Sequence, residues 1–264
     1  MTGIEISLGQ VAAALILVAI AIAISRWRGA GLESEIAVAV IRSFIQLTAI
    51  GYVIQLIFDD GSLVWVFLLL AVSVGFGTLT ARSRAQAVPG ATLPLLIALT
   101  IAGGATLGLV VALGIFDPEA RYLVPVGGMV IGNSMTASAT ALNRLGDEFR
   151  SGAAEIEATL ALGADSRQAA LPHLRRSLRS GTITLIDSTK TTGLIFFPGT
   201  MVGMLIAGAE PVDAVRLQLI LLWVLLGAAA IAALTATTLA YRNFFTPAHQ
   251  LRDPPEPDLP NRVA

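Results

Sequence analysis

The chain has 264 residues, of which 55% are hydrophobic and 13% are charged, and its formal net charge is −1. Soluble domains carry about 25% charged residues, so this composition indicates an integral membrane protein, and the near-zero charge argues against a nucleic-acid partner. The absence of cysteine from the sequence excludes disulfides and thiolate metal sites.

Seven apolar stretches are long enough to cross a bilayer, because a spanning helix needs about 20 mostly apolar residues. They cover residues 6–25, 36–58, 63–80, 92–115, 122–143, 181–206 and 216–240. The first stretch is predicted to be a retained span and not a signal peptide, since Glu5 and no positive residue precedes it. The sequence therefore predicts an all-α integral membrane protein with seven transmembrane helices in a single domain, residues 1–245.

The loops between these stretches differ in charge. Most of the 17 basic residues fall in the first, third and fifth loops and in the tail, whereas the other loops are mainly acidic. Because positively charged loops stay in the cytoplasm, the amino terminus is expected outside and the carboxyl terminus in the cytoplasm. The proline-rich tail, residues 246–264, is expected to be a disordered cytoplasmic segment.

Charged side chains at membrane depth are costly and mark functional sites. Arg42 and Gln46 share one face of the second stretch, and Asp187 and Lys190 share one face of the sixth. Both stretches are predicted to start on the cytoplasmic side, so Arg42 and Asp187 are expected at a comparable depth in the membrane. We therefore predict an intramembrane charge network of these four residues. The alternative is that Arg42 extends its side chain to the membrane interface.

The fifth stretch combines small residues with a polar stripe. Gly128 and Gly132 form a small-xxx-small pair, which lets another helix approach closely. The stripe follows helical spacing along one face and consists of Met129, Asn133, Thr136, Thr140 and Asn143. Such a stripe either lines a water-filled transport path or forms hydrogen bonds to a neighbouring helix, and the sequence leaves both interpretations open.

The loop over residues 144–179 is the largest polar segment of the chain. Its apolar residues recur at helical spacing and predict an amphipathic helix: Phe149, Ala153, Ile156 and Leu160. Gly163 is expected to end this helix, and Asp165 or Ser166 to begin a short second one that Pro172 interrupts. The sequence thus predicts a helix–turn–helix on the cytoplasmic face, or alternatively a helix lying on the lipid surface.

The sixth stretch contains a predicted helix break at Pro198 and Gly199. Proline removes a backbone hydrogen bond and glycine tolerates a bend. The methionines nearby are more typical of packing than of metal ligation, and no metal-binding residues are assigned.

Three motifs resemble known transporters. Glu157-Ala158, with Gly163 six residues after the glutamate, resembles the coupling loop of ABC transporter permeases. Two longer stretches are similar to FetB-type metal-export permeases. One joins Gly127-Gly128-Met129 to Gly132-Asn133 and Ala141-Leu142-Asn143-Arg144, and the other joins Asp187-x-x-Lys190-Thr191-Thr192-Gly193 to Pro198-Gly199. Together with Arg42, Gln46 and Gly51-Tyr52, the resemblance covers about residues 35–240.

The resemblance implies a homodimeric permease of the cell membrane that exports iron or another metal ion with a separate cytoplasmic ATPase. Bacterial members are linked to iron efflux and plant relatives to aluminium tolerance and nucleotide-sugar transport, so the family's substrate is not uniform. No cofactor is expected in this chain, and ATP and Mg²⁺ would bind to the ATPase. The residues that this implies at the ATPase contact are Glu157, Ala158, Leu160, Gly163 and Ala164.

Other function classes fit the sequence less well. The chain lacks a phosphate-binding loop, a Gly-x-Ser-x-Gly motif and a His-Glu-x-x-His motif, so we expect no enzyme activity in this subunit. The alternative function is a secondary transporter or channel that uses Asp187 and Lys190 as an intramembrane proton relay.

Overall fold

The computed structural model describes residues 7–252, and regular structure in this range is helical apart from two isolated bridges. Helices α1 to α9 cover Leu8–Arg28, Glu33–Asp60, Leu63–Arg84, Thr92–Ala112, Ala120–Ser151, Ala153–Ala161, Ser166–Thr191, Gly199–Ile206 and Pro211–Ala240. A 3₁₀ turn follows at Tyr241–Phe244. The prediction of an all-α protein is confirmed for this range. Glu5 and the end of the predicted tail, residues 253–264, lie outside the described residues.

Five helices in the described range are long and apolar enough to cross a membrane. They are α1, α2, α3, α4 and α9, which correspond to the first four predicted spans and the last one. The fifth predicted span lies inside α5, which is long enough but more polar. The sixth predicted span is divided, because α7 ends at Thr191 and α8 begins only at Gly199.

Helix α5 is the centre of the bundle and packs against α3, α4, α7 and α9. It buries one broad face that includes Val130, Ala137 and Leu142. Opposite it, α9 presents buried alanines at helical spacing, namely Ala228, Ala229, Ala232, Ala233, Ala236 and Ala240. Small side chains let the two helix backbones approach closely, so α5 and α9 form the axis of the domain.

The close helix approach occurs at a different glycine from the predicted pair. A Cβ atom at Gly181 of α7 would lie 2.6 Å from the Cβ of Ala141 and 2.7 Å from the carbonyl oxygen of Ala137 on α5. A Cβ at Gly128 or Gly132 would meet no atom within 4 Å. The prediction that another helix packs on Gly128 and Gly132 is not realised within residues 7–252, because these glycines lie on the face of α5 that this chain leaves uncovered.

Helices α1 and α2 stand at the periphery. Helix α1 contacts α2, and α2 reaches the bundle through a small contact with α5. Ile57 is the one buried residue of α2 among the described residues. The other large apolar side chains of both helices face outward, as expected for surfaces in contact with lipid.

The polar loop forms a compact structure that shares a core with the end of the chain. We call it the loop module, defined as residues 144–179 together with residues 241–252. Phe149 lies at its centre, with its ring centroid 4.4 Å from that of Phe244 and 5.8 Å from that of Phe245. The folded chain therefore continues past the predicted boundary at residue 245 and remains packed as far as Leu251.

Two details of the loop module differ from the sequence prediction. The amphipathic pattern from Phe149 to Leu160 is split between α5 and α6, because the chain bends at Gly152. A Cβ at Gly152 would lie 2.3 Å from Cε1 of His173, so the bend makes room for the imidazole. The second helix is also not short. Although proline removes a backbone hydrogen bond, α7 runs through Pro172 to Thr191, since Ala169, Ala170 and Leu174 are buried around it.

Adding a methyl group at Gly181 tests the close approach of α5 and α7. Gly181→Ala is expected to lower the free energy of unfolding by about 1–3 kcal/mol, because overpacked helices must separate. Gly227→Ala is the matched control, since a Cβ at this glycine of α9 meets no atom within 4 Å. Thermal unfolding in detergent measures both, and equal melting temperatures for the two variants would contradict the packing described above.

Candidate functional site

The polar stripe of α5 lies on the face of that helix that residues 7–252 leave uncovered. Thr136, Thr140 and Asn143 are exposed, and Met129 and Asn133 are half-buried. The opposite face is packed against the neighbouring helices. In a membrane an exposed polar face needs a protein partner or water, because lipid cannot satisfy its hydrogen bonds.

Three side chains of the stripe donate hydrogen bonds within their own helix. Thr136 donates its hydroxyl hydrogen to the carbonyl of Gly132 at 3.1 Å, and Thr140 donates to that of Thr136 at 2.9 Å. The Asn133 amide donates to the carbonyl of Met129 at 2.9 Å. The predicted bonds to a neighbouring helix are not formed by these side chains in residues 7–252. What the two threonines offer outward is therefore oxygen lone pairs, which suit water molecules and cations.

Only part of the predicted charge network is assembled. Lys190 Nζ lies 3.1 Å from Asp187 Oδ1, and both side chains are more than half exposed. Arg42 and Gln46 lie on the outward face of α2, and neither makes a hydrogen bond or ion pair to any other residue between 7 and 252. The structure thus brings Asp187 and Lys190 together on α7 and leaves Arg42 outside their pair.

The interruption between α7 and α8 exposes apolar side chains. Gly193 adopts a φ of +85° and donates its N–H to the carbonyl of Phe196 at 3.0 Å, which closes a tight turn. Pro198 then serves as the N-cap residue of α8. The turn holds Leu194 and Ile195 at 88% and 79% exposure, so this chain alone does not cover them.

A buried carboxylate organises the loop module. Glu148 is 5% exposed, and its two oxygens lie 2.7 Å from Arg144 and 2.9 Å from Arg176. Burial alone would raise the pKa of Glu148. The hydrogen bond from Arg176, the charge of Arg144 and the neighbouring His173 together outweigh burial and hold the pKa of Glu148 below its ordinary value. Glu148 therefore ties the end of α5 to α7 as an ionised group.

His173 occupies the space between two carboxylates. The ring is 1% exposed, with Nδ1 at 3.4 Å from Glu148 and Nε2 at 3.9 Å from Glu155 on α6. In the part of the chain described by the structure, neither nitrogen has a hydrogen-bond partner. The imidazole thus fills the junction of α5, α6 and α7, and the bend at Gly152 accommodates it.

The tip of the loop is exposed and well defined. Gly163 has a φ of +91°, and Asp165 begins α7 with a capping box in which its side chain accepts from the N–H of Gln168 at 2.7 Å. Leu162, between the end of α6 and Gly163, is 89% exposed. Of the predicted contact residues, Glu157, Ala158 and Gly163 are exposed, whereas Leu160 and Ala164 are half-buried.

Metal ligands are scarce. No group of three or more His, Cys, Asp or Glu side chains within residues 7–252 is placed to hold a metal ion.

Several residues of the site were missed by the sequence prediction. The sequence does not single out Leu162, because a single leucine in a polar loop belongs to no helical or strand repeat of apolar residues. The hydroxyls of Ser188 and Thr189 lie beside Asp187, and both donate to the carbonyl of Leu185. These two residues begin a Ser-Thr-Lys-Thr-Thr run, and such a polar run inside a predicted span could have indicated a functional site. The packing of His173 could not be read from sequence, since its neighbours come from three helices.

Comparison with known proteins places the chain among membrane proteins. The model of the "Uncharacterised protein family (UPF0014)" matches residues 8–245. The Arabidopsis thaliana protein ALUMINUM SENSITIVE 3 is 37% identical over 241 residues, which cover 91% of this chain and 88% of that protein. The probable iron export permease protein FetB of Escherichia coli K12 is 35% identical over 254 residues, covering 95% and 97%. The rice protein STAR2 is 38% identical over 223 residues, covering 84% and 78%. No solved structure matches the chain significantly.

Removing the charge of Glu148 tests the electrostatic centre of the loop module. Glu148→Gln is expected to lower the free energy of unfolding by about 1–3 kcal/mol at pH 7, because two arginines lose their charged acceptor. Since the pKa of Glu148 is lowered on folding, this stabilisation is present above its ordinary value near 4.5 and is lost as the pH falls through the folded-state pKa.

Melting temperatures in detergent at pH 7 and at successively lower pH provide the measurement. Asp147→Asn is the matched control, because Asp147 is 51% exposed and lies 4.0 Å from Arg150. A difference between wild type and Glu148→Gln that stays constant down to pH 3 would contradict the assignment.

Proposed function

Because the chain belongs to the UPF0014 family of multi-pass membrane permeases, we propose that it is the membrane subunit of an ATP-driven exporter. ATP and Mg²⁺ would bind to a separate ATPase subunit, since this sequence has no phosphate-binding loop. The chain itself would catalyse no bond cleavage. One relative is called a probable iron export permease, so the proposed cargo is iron or another metal ion.

The proposed topology has seven transmembrane segments, with the amino terminus outside and the carboxyl terminus in the cytoplasm. Helix α5 and the α7–α8 pair supply the other two segments, in which α5 and α7 are more polar than the five apolar helices. The 32 residues of α5 span about 48 Å at 1.5 Å per residue, which exceeds the hydrocarbon thickness of about 30 Å. Their polar faces would be covered by protein and water.

The observation that carries the proposal is the exposed tip of the loop module. Leu162 projects from a turn that the Asp165 capping box and the core around Phe149 hold in place. In the proposal this exposed leucine, held by a rigid support, inserts into a pocket of the ATPase and is removed from water there. Glu157, Ala158 and Gly163 surround this tip, in the arrangement by which the loop resembles an ATPase-coupling segment.

The proposed transport path runs along the uncovered face of α5. In a homodimer two such faces would meet and enclose the oxygen-rich stripes of Asn133, Thr136 and Thr140 between them. Exposed lone pairs of hydroxyl and amide oxygens suit a cation that keeps part of its water shell. The Asp187–Lys190 pair on the adjacent helix α7 would contribute the charged groups of the path.

A second candidate function rests on this same pair. Asp187 and Lys190 form an exposed ion pair on a helix that lies at membrane depth in the proposed topology. In a secondary transporter or channel this pair would relay protons and no ATPase would be needed.

Transport by reconstituted proteoliposomes distinguishes these functions. The permease is reconstituted with the ATPase subunit that co-purifies with it, and ferrous iron, other divalent ions and nucleotide-sugars are offered with and without ATP. We expect transport of a metal ion that requires both ATP and the ATPase. Equal transport by the permease alone, driven by a proton gradient, would overturn the exporter proposal in favour of the second candidate.

Introducing a charge at the loop tip tests the ATPase contact. Leu162→Asp is expected to weaken ATPase binding by about 10- to 100-fold, because a buried leucine contributes about 1.5–3 kcal/mol. Leu113→Asp is a close control. Leu113 is also an exposed leucine at the C-cap of a helix, it also precedes a left-handed glycine, and it lies at the opposite end of the bundle. Equal binding by both variants would argue against the loop tip as the contact.

Replacing hydroxyls with methyl groups tests the path. The double variant Thr136→Val with Thr140→Val is expected to slow transport roughly tenfold, because two oxygen contacts are lost, while ATPase binding is retained. Thr100→Val is the matched control, since Thr100 is exposed on α4 and also donates to a carbonyl four residues earlier. Wild-type transport by the double variant would exclude this face as the path.

A further inference from the structure

The end of the described chain forms a compact turn beside the loop tip. We call residues 244–252 the C-terminal strap. Phe245 and Leu251 pair in an antiparallel bridge, and Arg252 donates its N–H to the carbonyl of Phe244 at 2.7 Å. Within the turn, Thr246 donates its N–H to the carbonyl of Gln250 at 2.8 Å. These bonds make the strap a fixed element of the surface.

The strap is anchored in the same core as the loop. Phe244 and Phe245 are buried against Phe149, and Leu251 packs on the same cluster from the rim. Leu160 of α6 contacts this cluster as well. The positions of α6 and the strap relative to each other are therefore set by one shared group of apolar side chains.

His249 joins the strap directly to the first residue of α7. Its Nδ1 lies 2.9 Å from the hydroxyl oxygen of Ser166 and 3.4 Å from the backbone nitrogen of that residue. His249 has a φ of +58°, in a region that non-glycine residues adopt at a cost of about 1–2 kcal/mol. Such a conformation persists where the surrounding contacts hold it, and here it directs the imidazole at the beginning of α7.

A cleft of about 400 Å³ separates α6 from the strap. Glu157, Leu160 and Ala164 line one side, and Ala248, His249 and Gln250 line the other. The carboxylate of Glu157 is exposed, and it has no ion pair with any residue from 7 to 252. The cleft thus combines the apolar side chains of Leu160, Ala164 and Ala248 with polar groups and a free negative charge at its rim.

We propose that the strap and the loop tip form one composite docking surface, and that the ATPase inserts a basic side chain into the cleft between them. This inference rests on the proposed function. The alanines and Leu160 would contact the aliphatic stem of an arginine or lysine, and Glu157 would accept hydrogen bonds from its head group. The docking surface would then have two separate contacts. Leu162 would insert into the ATPase, and the cleft would bind a basic side chain of the ATPase.

Binding of the purified ATPase subunit to the full-length permease in lipid nanodiscs tests the composite surface. Ala248→Trp fills the cleft with an indole ring and leaves the packed side of the strap unchanged. We expect it to weaken ATPase binding about tenfold. Ala30→Trp is the matched control, because Ala30 is an exposed alanine in the first loop, away from the loop module, and it should bind like wild type.

A second pair of variants tests the role of His249. His249→Ala removes the contact to Ser166 and should also weaken binding several-fold. His249→Asn should retain most of the binding, because asparagine tolerates positive φ and its amide oxygen can accept from the N–H of Ser166. Melting temperatures of all variants verify that the permease remains folded.

The outcomes separate this inference from the proposed function. If Leu162→Asp abolishes binding but Ala248→Trp and His249→Ala bind normally, the loop tip alone is the contact and the composite surface is refuted. If deletion of residues 253–264 strengthens binding, the chain's own terminal segment occupies the cleft and the inference is likewise overturned. If Leu162→Asp also binds the ATPase normally, both the proposed ATPase contact at the loop tip and the composite docking surface are refuted.

Discussion

The fold depends on the close packing of one face of α5. Four helices lie against that face, and small residues such as Gly181 and the alanines of α9 allow the approach. Because the packed face of α5 is covered by neighbouring helices, its exposed polar groups lie on the opposite face. The separation is a consequence of helical spacing: Ala137 and Ala141 point inward, whereas Thr136 and Thr140 point outward. The same helix thus holds the bundle together and presents the proposed path.

The loop module is connected to this face by continuous helices. Helix α5 runs from the stripe to Ser151, and α7 runs from the Asp165 cap to Thr191, beside Asp187 and Lys190. Glu148 and His173 fix these two helices to each other at the loop end. Under the proposed function, a force applied at Leu162 would therefore reach both helices.

The sequence predicted what depends on local pattern. Hydropathy located the apolar helices, spacing located the stripe of α5, and turn chemistry located Gly163 and the Asp165 cap. It could not predict features that arise from distant segments meeting. The bend at Gly152 is one example, since the imidazole that requires it comes from residue 173. The persistence of α7 through Pro172 is another, because burial outweighs the missing backbone bond. Arg42 shows the limit for charges: a comparable predicted depth in the membrane did not place it beside Asp187 within residues 7–252.

The back-bonded hydroxyls of α5 have a consequence for charge selectivity. A free threonine hydroxyl can rotate to donate to an anion or accept from a cation, so a surface of such groups does not discriminate by sign. When each hydroxyl hydrogen is committed to a carbonyl one turn earlier, the outward side of the oxygen keeps a constant negative polarity. A solute moving along this face would meet a negative electrostatic potential at these oxygens, and rotation of the hydroxyl groups would not reverse its sign. Selectivity for positive charge at these two threonines would then come from the helix backbone and would add to the effect of Asp187.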